Sequence, residues 1–237
     1  NGRQAINKWV STETSGIIPE FLKNPIDASW ALVNASYFKG IWANPFDREE
    51  TTGMTFHNLD LSETRTPFMY VNADFSYNSF DDFEIVSLPY GNGNFCMEVI
   101  LPAEGKFADV MGTLTAETLE AARREARSCD IVLRLPKFES GFATDLIPLF
   151  GKLGINGMFS SLDQLIDSDK VAATYACHAV KIKIDEEGTE AASATMVGGV
   201  TANLTDTVVM TVDRPFIYLI RETSTGVLLF AGTQVAF

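Results

Sequence analysis

The alternation of hydrophobic and polar residues predicts a chain in which short β-strands outnumber helices. Near the start, Ile6, Trp9 and Val10 recur at helical spacing, and Gly16 follows as a helix stop. Over residues 51–111, short runs rich in Phe, Tyr, Val and Ile alternate with turn residues, which is typical of β-strands. Because helices and strands do not alternate regularly, we expect a mixed α+β fold rich in antiparallel strands.

The rest of the chain continues this mixture. Residues 115–127 have the spacing of an amphipathic helix capped by Thr113 or Thr115, and residues 145–153 predict a further helix. A dense apolar run over residues 30–38 indicates a strand that is buried on both faces. Further strands are predicted at residues 131–138, 180–184, 208–212, 216–221 and 227–231.

A hairpin is predicted in the β-rich part of the chain. Residues 86–90 lead into Gly91-Asn92-Gly93-Asn94, and a second apolar run follows over residues 95–101. These glycines lack the spacing of a phosphate-binding loop, and no helix is predicted directly after them. We therefore interpret the segment as a turn.

Composition and charge narrow the range of functions. Of the 237 residues, 46% are hydrophobic and 21% are charged, as in a soluble globular protein, and no apolar stretch is long enough to span a bilayer. The formal charge of −13 disfavours binding to nucleic acid. Arg123, Arg124 and Arg127 lie among glutamates, so we interpret them as the solvated face of a helix.

The candidate catalytic and metal-binding residues do not support an enzyme. His57 and His178 are the only histidines, and the Gly-x-Ser-x-Gly motif is absent, so neither a Ser-His-Asp triad nor a zinc site is predicted. Cys96, Cys129 and Cys177 are widely spaced and are interpreted as buried free thiols. We expect no metal, no cofactor and no enzymatic activity.

An unusually long connection separates the strands predicted at 180–184 and 208–212. In an extended conformation, its small residues Thr189, Ala191, Ser193 and Thr195 share one face, and Gly188 precedes them as a hinge. Such a segment fits into a sheet as an added strand. Its composition also allows a short helix at 190–194 and a plain linker at 198–199.

Six segments spread along the chain carry a family resemblance. They are Ile6-Asn7-Lys8-Trp9-Val10, Leu32-Val33-Asn34-Ala35-Ser36-Tyr37-Phe38-Lys39-Gly40-Ile41-Trp42, Leu135-Pro136-Lys137-Phe138, residues 186–192, Asp213-Arg214-Pro215-Phe216 and Phe230-Ala231-Gly232. In these segments and their order the sequence closely resembles the serpins, a family of protease inhibitors. The resemblance implies one serpin domain over residues 1–237, with large mixed and antiparallel sheets, surrounding helices and an exposed reactive loop.

The resemblance also implies a mechanism. In inhibitory serpins a protease cleaves the loop as a suicide substrate, and the hinge then inserts into a metastable main sheet and traps the acyl-enzyme. The implied hinge consists of Glu186, Glu187, Gly188, Thr189, Glu190, Ala191, Ala192, Ser193, Ala194 and Thr195. The scissile-bond candidates are Ala202, Asn203 and Leu204: counting forward from Gly188 favours Ala202, and counting back from Pro215 favours Leu204.

Two further groups of residues follow from the resemblance. Asn34 and His178 match the shutter, which lies beneath the sheet where it opens. Trp42, Lys137 and Glu186 match the breach, where insertion begins. We expect an ion pair between Lys137 and Glu186, packed near Trp42.

The resemblance finally sets expectations about partners and context. The expected partner is a serine protease or, alternatively, a cysteine protease, and family habit favours an extracellular or cell-surface location. The alternative within the family is a non-inhibitory chaperone or carrier. Because the chain opens at Asn1 without an initiator methionine, and lacks the early helices and some strands of the family, we expect a fragment or processed product. A second chain is a candidate source of the N-terminal part.

Overall fold

The computed structural model describes residues 2–24, 31–157, 174–189 and 207–237. The chain divides into two compact units. The first comprises Asn1–Phe38 and Glu139–Lys183, and the second comprises Lys39–Phe138 and Ile184–Phe237. Each unit combines helices with strands, so the prediction of an α+β fold is confirmed. The assignment of residues 1–237 to one domain stays a prediction.

The elements of the described residues are numbered here in chain order. The helices are α1 (Gly2–Glu13), α2 (Phe107–Thr113), α3 (Ala116–Glu125) and α4 (Ile147–Lys152). The strands are β1 (Ala31–Tyr37), β2 (Gly40–Ile41), β3 (Asp47–His57), β4 (Glu63–Ser79), β5 (Phe83–Tyr90), β6 (Phe95–Pro102), β7 (Arg127–Pro136), β8 (Phe138–Asp145), β9 (Tyr175–Ile184), β10 (Gly188–Thr189), β11 (Val208–Thr211), β12 (Phe216–Glu222) and β13 (Leu228–Gln234).

In the first unit, β1 and β9 lie side by side as parallel strands, and β8 also pairs with β9. Helix α1 packs its buried Val10 against Cys177 and Ala179 of β9. After the helix, Gly16 adopts a φ of +83° and donates its N–H to the carbonyl of Ser11 at 2.7 Å. This is the left-handed conformation that glycine adopts most readily where a helix stops, as predicted.

A sheet of eight strands forms most of the second unit. Its order is β11-β7-β4-β5-β6-β12-β13, and β3 pairs with β4. Strands β11 and β7 are parallel, whereas the other neighbours are antiparallel. The predicted hairpin is confirmed, with Tyr90 opposite Phe95 and left-handed φ values at Gly91 and Gly93 in the turn. Helices α2 and α3 cover one face of this sheet through Val110 and Ala122.

The predicted helix over 115–127 is confirmed as α3, and Thr115 is its cap. The Thr115 hydroxyl accepts from the Thr118 N–H at 3.2 Å, while the Thr118 hydroxyl accepts from the Thr115 N–H at 2.9 Å. This reciprocal pair satisfies backbone donors that would otherwise lack partners at the helix start. The predicted helix over 145–153 is shorter in the structure, because Asp145 still belongs to β8.

Four sequence-based expectations were wrong. Strand β1 is not buried on both faces, since Leu32 on it is 43% exposed. The β-rich stretch is interrupted by α2, which forms after the tight turn at Gly105. Arg123 is not on a solvated face, because it reaches across to the fully buried Glu98 of β6. Of the three thiols, that of Cys129 is only partly buried.

Candidate functional site

The candidate site lies where the chain leaves β9. Residues 185–188 make a tight turn in which Asp185 and Gly188 exchange backbone hydrogen bonds at 3.0 and 3.3 Å. The next residue, Thr189, then lies opposite Ile184, the last residue of β9. We call residues 185–189 the loop root, because they carry the start of the long connection identified in the sequence.

The loop root is already paired as a strand. β10 runs antiparallel to β2, with Gly188 opposite Ile41 and Thr189 opposite Gly40. Because Ile184 lies opposite Thr189 as well, Thr189 is enclosed by backbone on both sides and is only 1% exposed. The first small residue of the predicted hinge therefore points into a buried position of the second unit.

Only glycine fits at position 188. Its φ is +149°, a conformation that residues with side chains rarely adopt. A Cβ at this position would lie 2.0 Å from the carbonyl oxygen of Gly40 and 2.8 Å from the Cα of Ile41, so β2 would have to move away. The close approach of the two backbones explains why the sequence carries glycine at this position.

Two stacked aromatic rings support the loop root. The rings of Trp42 and Tyr90 lie 4.4 Å apart at an interplanar angle of 13°, and both residues are almost fully buried. The indole N–H of Trp42 donates to the carbonyl of Asp185 at 2.9 Å, and the Tyr90 hydroxyl lies 2.8 Å from that of Thr189. Burial raises the pKa of Tyr90, so its hydroxyl stays protonated and available as a donor at neutral pH.

The two glutamates of the loop root are paired with basic side chains outside it. The buried carboxylate of Glu186 pairs with Lys137 Nζ at 2.7 Å and accepts a hydrogen bond from the Thr51 hydroxyl at 3.0 Å. Its neighbour Glu187 pairs with Arg48. Burial alone would raise the pKa of Glu186. The hydrogen bonds from Lys137, the backbone and Thr51 outweigh that effect and lower the pKa below its usual value. Glu186 is therefore ionised at neutral pH although its side chain is buried.

Asn34 and His178 meet in the first unit. They lie opposite each other on β1 and β9, and His178 Nδ1 is 2.8 Å from Asn34 Oδ1. Since an amide oxygen only accepts, the ring carries a proton on Nδ1 and donates it to Asn34. The same oxygen accepts from the Ser36 hydroxyl at 3.1 Å. The bond between His178 and Asn34 thus joins β9 to β1, and the two strands pair directly along β1 from Ala31 to Tyr37.

Within each unit, the structure brings the described residues of the predicted breach and of the predicted shutter into contact. Lys137 and Glu186 are in contact next to Trp42, and Asn34 is in contact with His178. Residues 190–195 of the predicted hinge and the candidates Ala202, Asn203 and Leu204 lie outside the described residues.

Sequence reasoning missed three contact residues, Tyr90, Thr51 and Arg48. Tyr90 is separated from Thr189 by 99 positions, so no local pattern links them. The only local sign in the sequence is an aromatic residue directly before a glycine turn. Because many ordinary hairpins have such a residue, this sign does not indicate a contact with the hinge.

The described ranges contain no group of His, Cys, Asp and Glu side chains that could hold a metal ion. Within the same ranges, no helix has the length and hydrophobicity to cross a membrane. The geometry of the site is that of a strand junction, in which residues of the loop root bond to side chains of neighbouring elements.

The family model described as Serpin (serine protease inhibitor) matches residues 1–236. The chain belongs to the serpin family. Serpins are generally protease inhibitors rather than enzymes, although some members are non-inhibitory. The family is largely extracellular and also has intracellular members.

Several curated serpins are similar to this chain over nearly all of its length. Iripin-8 of Ixodes ricinus is 32% identical over 97% of the chain, and leukocyte elastase inhibitor A of Mus musculus is 33% identical over 98%. Neuroserpin of Mus musculus is 30% identical over 96%. The matches cover 60%, 65% and 59% of those proteins, respectively, so this chain spans about 60% of the length of the serpins it matches.

Solved serpin structures show the same fold. Thyroxine-binding globulin in complex with thyroxine matches 99% of this chain and 64% of its own with a TM-score of 0.87 at 27% identity. Tengpin, a thermophilic serpin in its native state, matches 100% of this chain and 63% of its own with a TM-score of 0.85. At 23% identity, the likeness to tengpin supports the fold alone.

Proposed function

We propose that this chain is the loop-bearing part of an inhibitory serpin that traps a serine or cysteine protease. The proposal is carried by one observation, the strand pairing of the loop root. Gly188 and Thr189 already form a two-residue strand, and the following hinge residues are small except for Glu190, which alternates to the opposite face from Thr189 in an extended chain. A strand that has begun to pair extends at low steric cost when its inward residues are small, and main-chain hydrogen bonds then supply the stabilisation.

The proposed reaction begins as ordinary proteolysis. The protease nucleophile, a serine hydroxyl or a cysteine thiol, bonds to the carbonyl carbon of Ala202 or Leu204. The peptide bond to the next residue breaks, and the leaving amine takes up a proton. An acyl-enzyme remains, joined to the part of the loop that continues from Thr189. The serpin supplies the substrate and no catalytic group.

In the proposed second step the hinge inserts between β1 and β9. These strands pair directly along seven residues of β1, so insertion must separate them and break the bond between Asn34 and His178. Loss of this pairing is offset by two new rows of backbone hydrogen bonds along the inserted strand. This geometry supports the proposed role of Asn34 and His178 as a shutter.

The breach role is proposed for Trp42, Lys137 and Glu186, which surround the point where pairing of the hinge starts. Trp42 binds the carbonyl of Asp185, and Lys137 holds the carboxylate of Glu186. With the turn anchored at these residues, the proposed insertion starts from the pairing that Thr189 already makes with Gly40 and Ile184. Once the loop is cleaved, the hinge then inserts in a register that the loop root has already set.

The alternative function is that of a non-inhibitory carrier, as suggested by the likeness to thyroxine-binding globulin in complex with thyroxine. The small residues of the hinge favour the inhibitor. An extracellular or cell-surface location is proposed with it, because the family is largely extracellular.

A protease panel distinguishes the two functions. The full-length protein is incubated with elastase-, chymotrypsin-, trypsin-, subtilisin- and papain-like proteases, and the mixtures are separated by denaturing gel electrophoresis. We expect a complex that survives denaturation with an elastase-like enzyme for cleavage after Ala202, or with a chymotrypsin-like enzyme for cleavage after Leu204. Cleavage of the loop by these enzymes with no stable complex in any reaction would refute the inhibitory function and favour the carrier.

A further inference from the structure

A cavity of about 410 Å³ lies in the second unit, away from the loop root. One wall is the turn after β3, the second is the segment between β6 and α2, and the floor contains Arg214 and Pro215. The proposed function does not use this cavity. Its volume lies within the range typical of small-molecule sites in proteins.

The walls of the cavity are mainly apolar. Its apolar lining residues are Leu59, Leu61, Pro102, Ala103, Phe107, Ala108 and Pro215. Leu59 is 51% exposed and Leu61 is 92% exposed, so both present hydrocarbon surface to water in the absence of a ligand. Covering that surface would be favourable, because apolar area removed from water contributes to binding.

Leu61 is held in an unfavourable backbone conformation. Its φ is +69°, which a leucine rarely adopts because its Cβ crowds the following carbonyl oxygen. The turn that imposes this conformation is closed by hydrogen bonds, from Asn58 N to Ser62 O at 2.8 Å and from Leu61 N to Asn58 O at 3.0 Å. The Asn58 side chain also donates to the Ser62 and Thr64 hydroxyls at 2.8 and 2.9 Å.

Asparagine or glycine would suit this turn position better than leucine. A leucine that is strained and exposed at the mouth of an apolar cavity contributes neither local stability nor core packing. Strain of this kind is found preferentially at functional positions. Contact with a ligand is a function that this side chain can serve.

The charges around the cavity are largely balanced within the protein. Arg214 donates through Nε to the carbonyl of Pro102 at 2.9 Å and through Nη1 to Asp213 at 3.2 Å. The exposed Glu104 at the rim adds a negative charge, and the whole chain carries −13. An anionic ligand would therefore be repelled, whereas the remaining N–H groups of Arg214 can still donate to a neutral acceptor.

We propose that this cavity binds an uncharged, largely apolar small molecule, with an aromatic or alicyclic body and one hydroxyl or carbonyl oxygen that meets Arg214. The body packs between Leu59, Leu61 and Phe107, and the oxygen accepts a hydrogen bond at the floor. This site is independent of the proposed inhibitory function, and either can fail without the other.

The test uses three probes that share one aromatic body and differ in charge: 2-naphthol, 2-naphthoate and 2-naphthylmethylamine. Binding to the full-length protein is measured by saturation-transfer NMR and titration calorimetry. We expect 2-naphthol to bind at least about tenfold more tightly than 2-naphthoate, because negative charge surrounds the cavity. We expect it to bind no more weakly than the amine, because an ammonium group cannot accept a hydrogen bond from Arg214 and carries the same charge.

Two variants locate the binding. Ala108 is exposed on the cavity wall, so Ala108→Trp fills the space without disturbing the core and should weaken 2-naphthol binding by about tenfold or more. Leu61→Asn should weaken it by about fivefold while leaving the melting temperature unchanged or raised, since asparagine tolerates the left-handed conformation. Leu153→Asn, at another leucine that is 73% exposed, is the matched control and should change nothing.

Several outcomes would overturn the proposal. One is the absence of binding by any probe, and another is tighter binding of the carboxylate or the amine than of 2-naphthol. Unchanged affinity in both Ala108→Trp and Leu61→Asn would place the probe elsewhere. Loss of 2-naphthol binding as protein concentration rises, with a matching increase in particle size, would show that a second copy of the chain occupies the cavity instead.

Discussion

The hydroxyl groups of Tyr90 and Thr189 lie 2.8 Å apart in a position where both residues are buried. Tyr90 ends β5 and stacks on Trp42, whereas Thr189 is the last described residue before the reactive-loop segment. One hydrogen bond therefore joins the large sheet of the second unit to the start of the hinge. Breaking the pair would remove this hydrogen bond from two buried hydroxyls, which is costly because buried polar groups are shielded from water.

We predict that Tyr90 and Thr189 are energetically coupled. Tyr90→Phe and Thr189→Val each leave one buried hydroxyl without this partner, so each should lower the free energy of unfolding by about 1–3 kcal/mol. The double variant should cost clearly less than the sum of the two, because the hydrogen bond between the two hydroxyls can be lost only once. Urea unfolding of all four proteins gives the cycle, and simple additivity would show that the contact contributes nothing specific.

This pair also shows where prediction from the sequence stops. The contact between Lys137 and Glu186 was expected, because both residues lie in segments that resemble the serpins and both match the breach of that family. Tyr90 stands in a hairpin whose local pattern explains it fully. Only the fold brings its hydroxyl across 99 positions to Thr189.

The same distinction holds for the fold. The β5–β6 hairpin and the Thr115 cap depend on neighbouring residues, so sequence patterns were sufficient to predict them. The exposure of Leu32 and the burial of Glu98 depend on which elements pack against β1 and β6. The pattern of residues within those two strands does not determine that packing. Arg123 was misjudged for the same reason, since its partner is 25 positions away on another element.

We predict that the stabilisation by Lys137 depends on pH. The pKa of Glu186 is lowered in the folded protein, so its contribution is present above its ordinary pKa of about 4.5 and is lost as pH falls through the folded value. Lys137→Met should therefore cost about 1–2 kcal/mol near pH 7, discounted for the partial exposure of Lys137. The cost should shrink as pH falls below about 4.5 towards the lowered pKa of Glu186, because protonation of the carboxylate removes the ion pair with Lys137.

Urea midpoints measured from about pH 7 to about pH 3 check this prediction. The matched control is Lys106→Met, because Lys106 pairs with the exposed Asp82 and Asp109 at 3.7 and 3.4 Å. Exposed pairs of this kind contribute less than about 1 kcal/mol, so the control should show little difference at any pH. A Lys137→Met penalty that stays constant down to pH 3 would contradict the assignment of the effect to Glu186.

We predict that Glu98 is essential for stability. Its fully buried carboxylate binds Arg123 Nε and Nη2, both at 2.7 Å, and Arg221 Nε at 2.6 Å, which joins α3 and β12 to β6. Glu98→Gln leaves two largely buried guanidinium groups without their counter-charge. The expected loss is about 3 kcal/mol, comparable to other broken buried ion pairs.

Thermal unfolding and urea unfolding of Glu98→Gln measure this loss. Asp82→Asn removes one carboxylate from an exposed pair with Lys106 and serves as the control, with an expected change below about 0.5 kcal/mol. Equal effects of the two variants would mean that the arginines find new partners or water after the change. In that case the buried cluster would be replaceable and not essential.

We predict finally that one face of the hinge controls inhibition. Thr189 is 1% exposed, and continuing the two-residue period of a strand places Ala191 on the same inward face and Ala192 on the outward face. Ala191→Arg would bury an unpaired charge during insertion, so the protease should cleave the loop and escape. The amount of complex that survives denaturation should fall by at least about tenfold. Ala192→Arg adds the same side chain facing water and should inhibit nearly as well as the unchanged protein. Both variants are compared by the ratio of complex to cleaved serpin on denaturing gels, at the same protease concentration. Equal inhibition by the two would show that the hinge does not insert in this register.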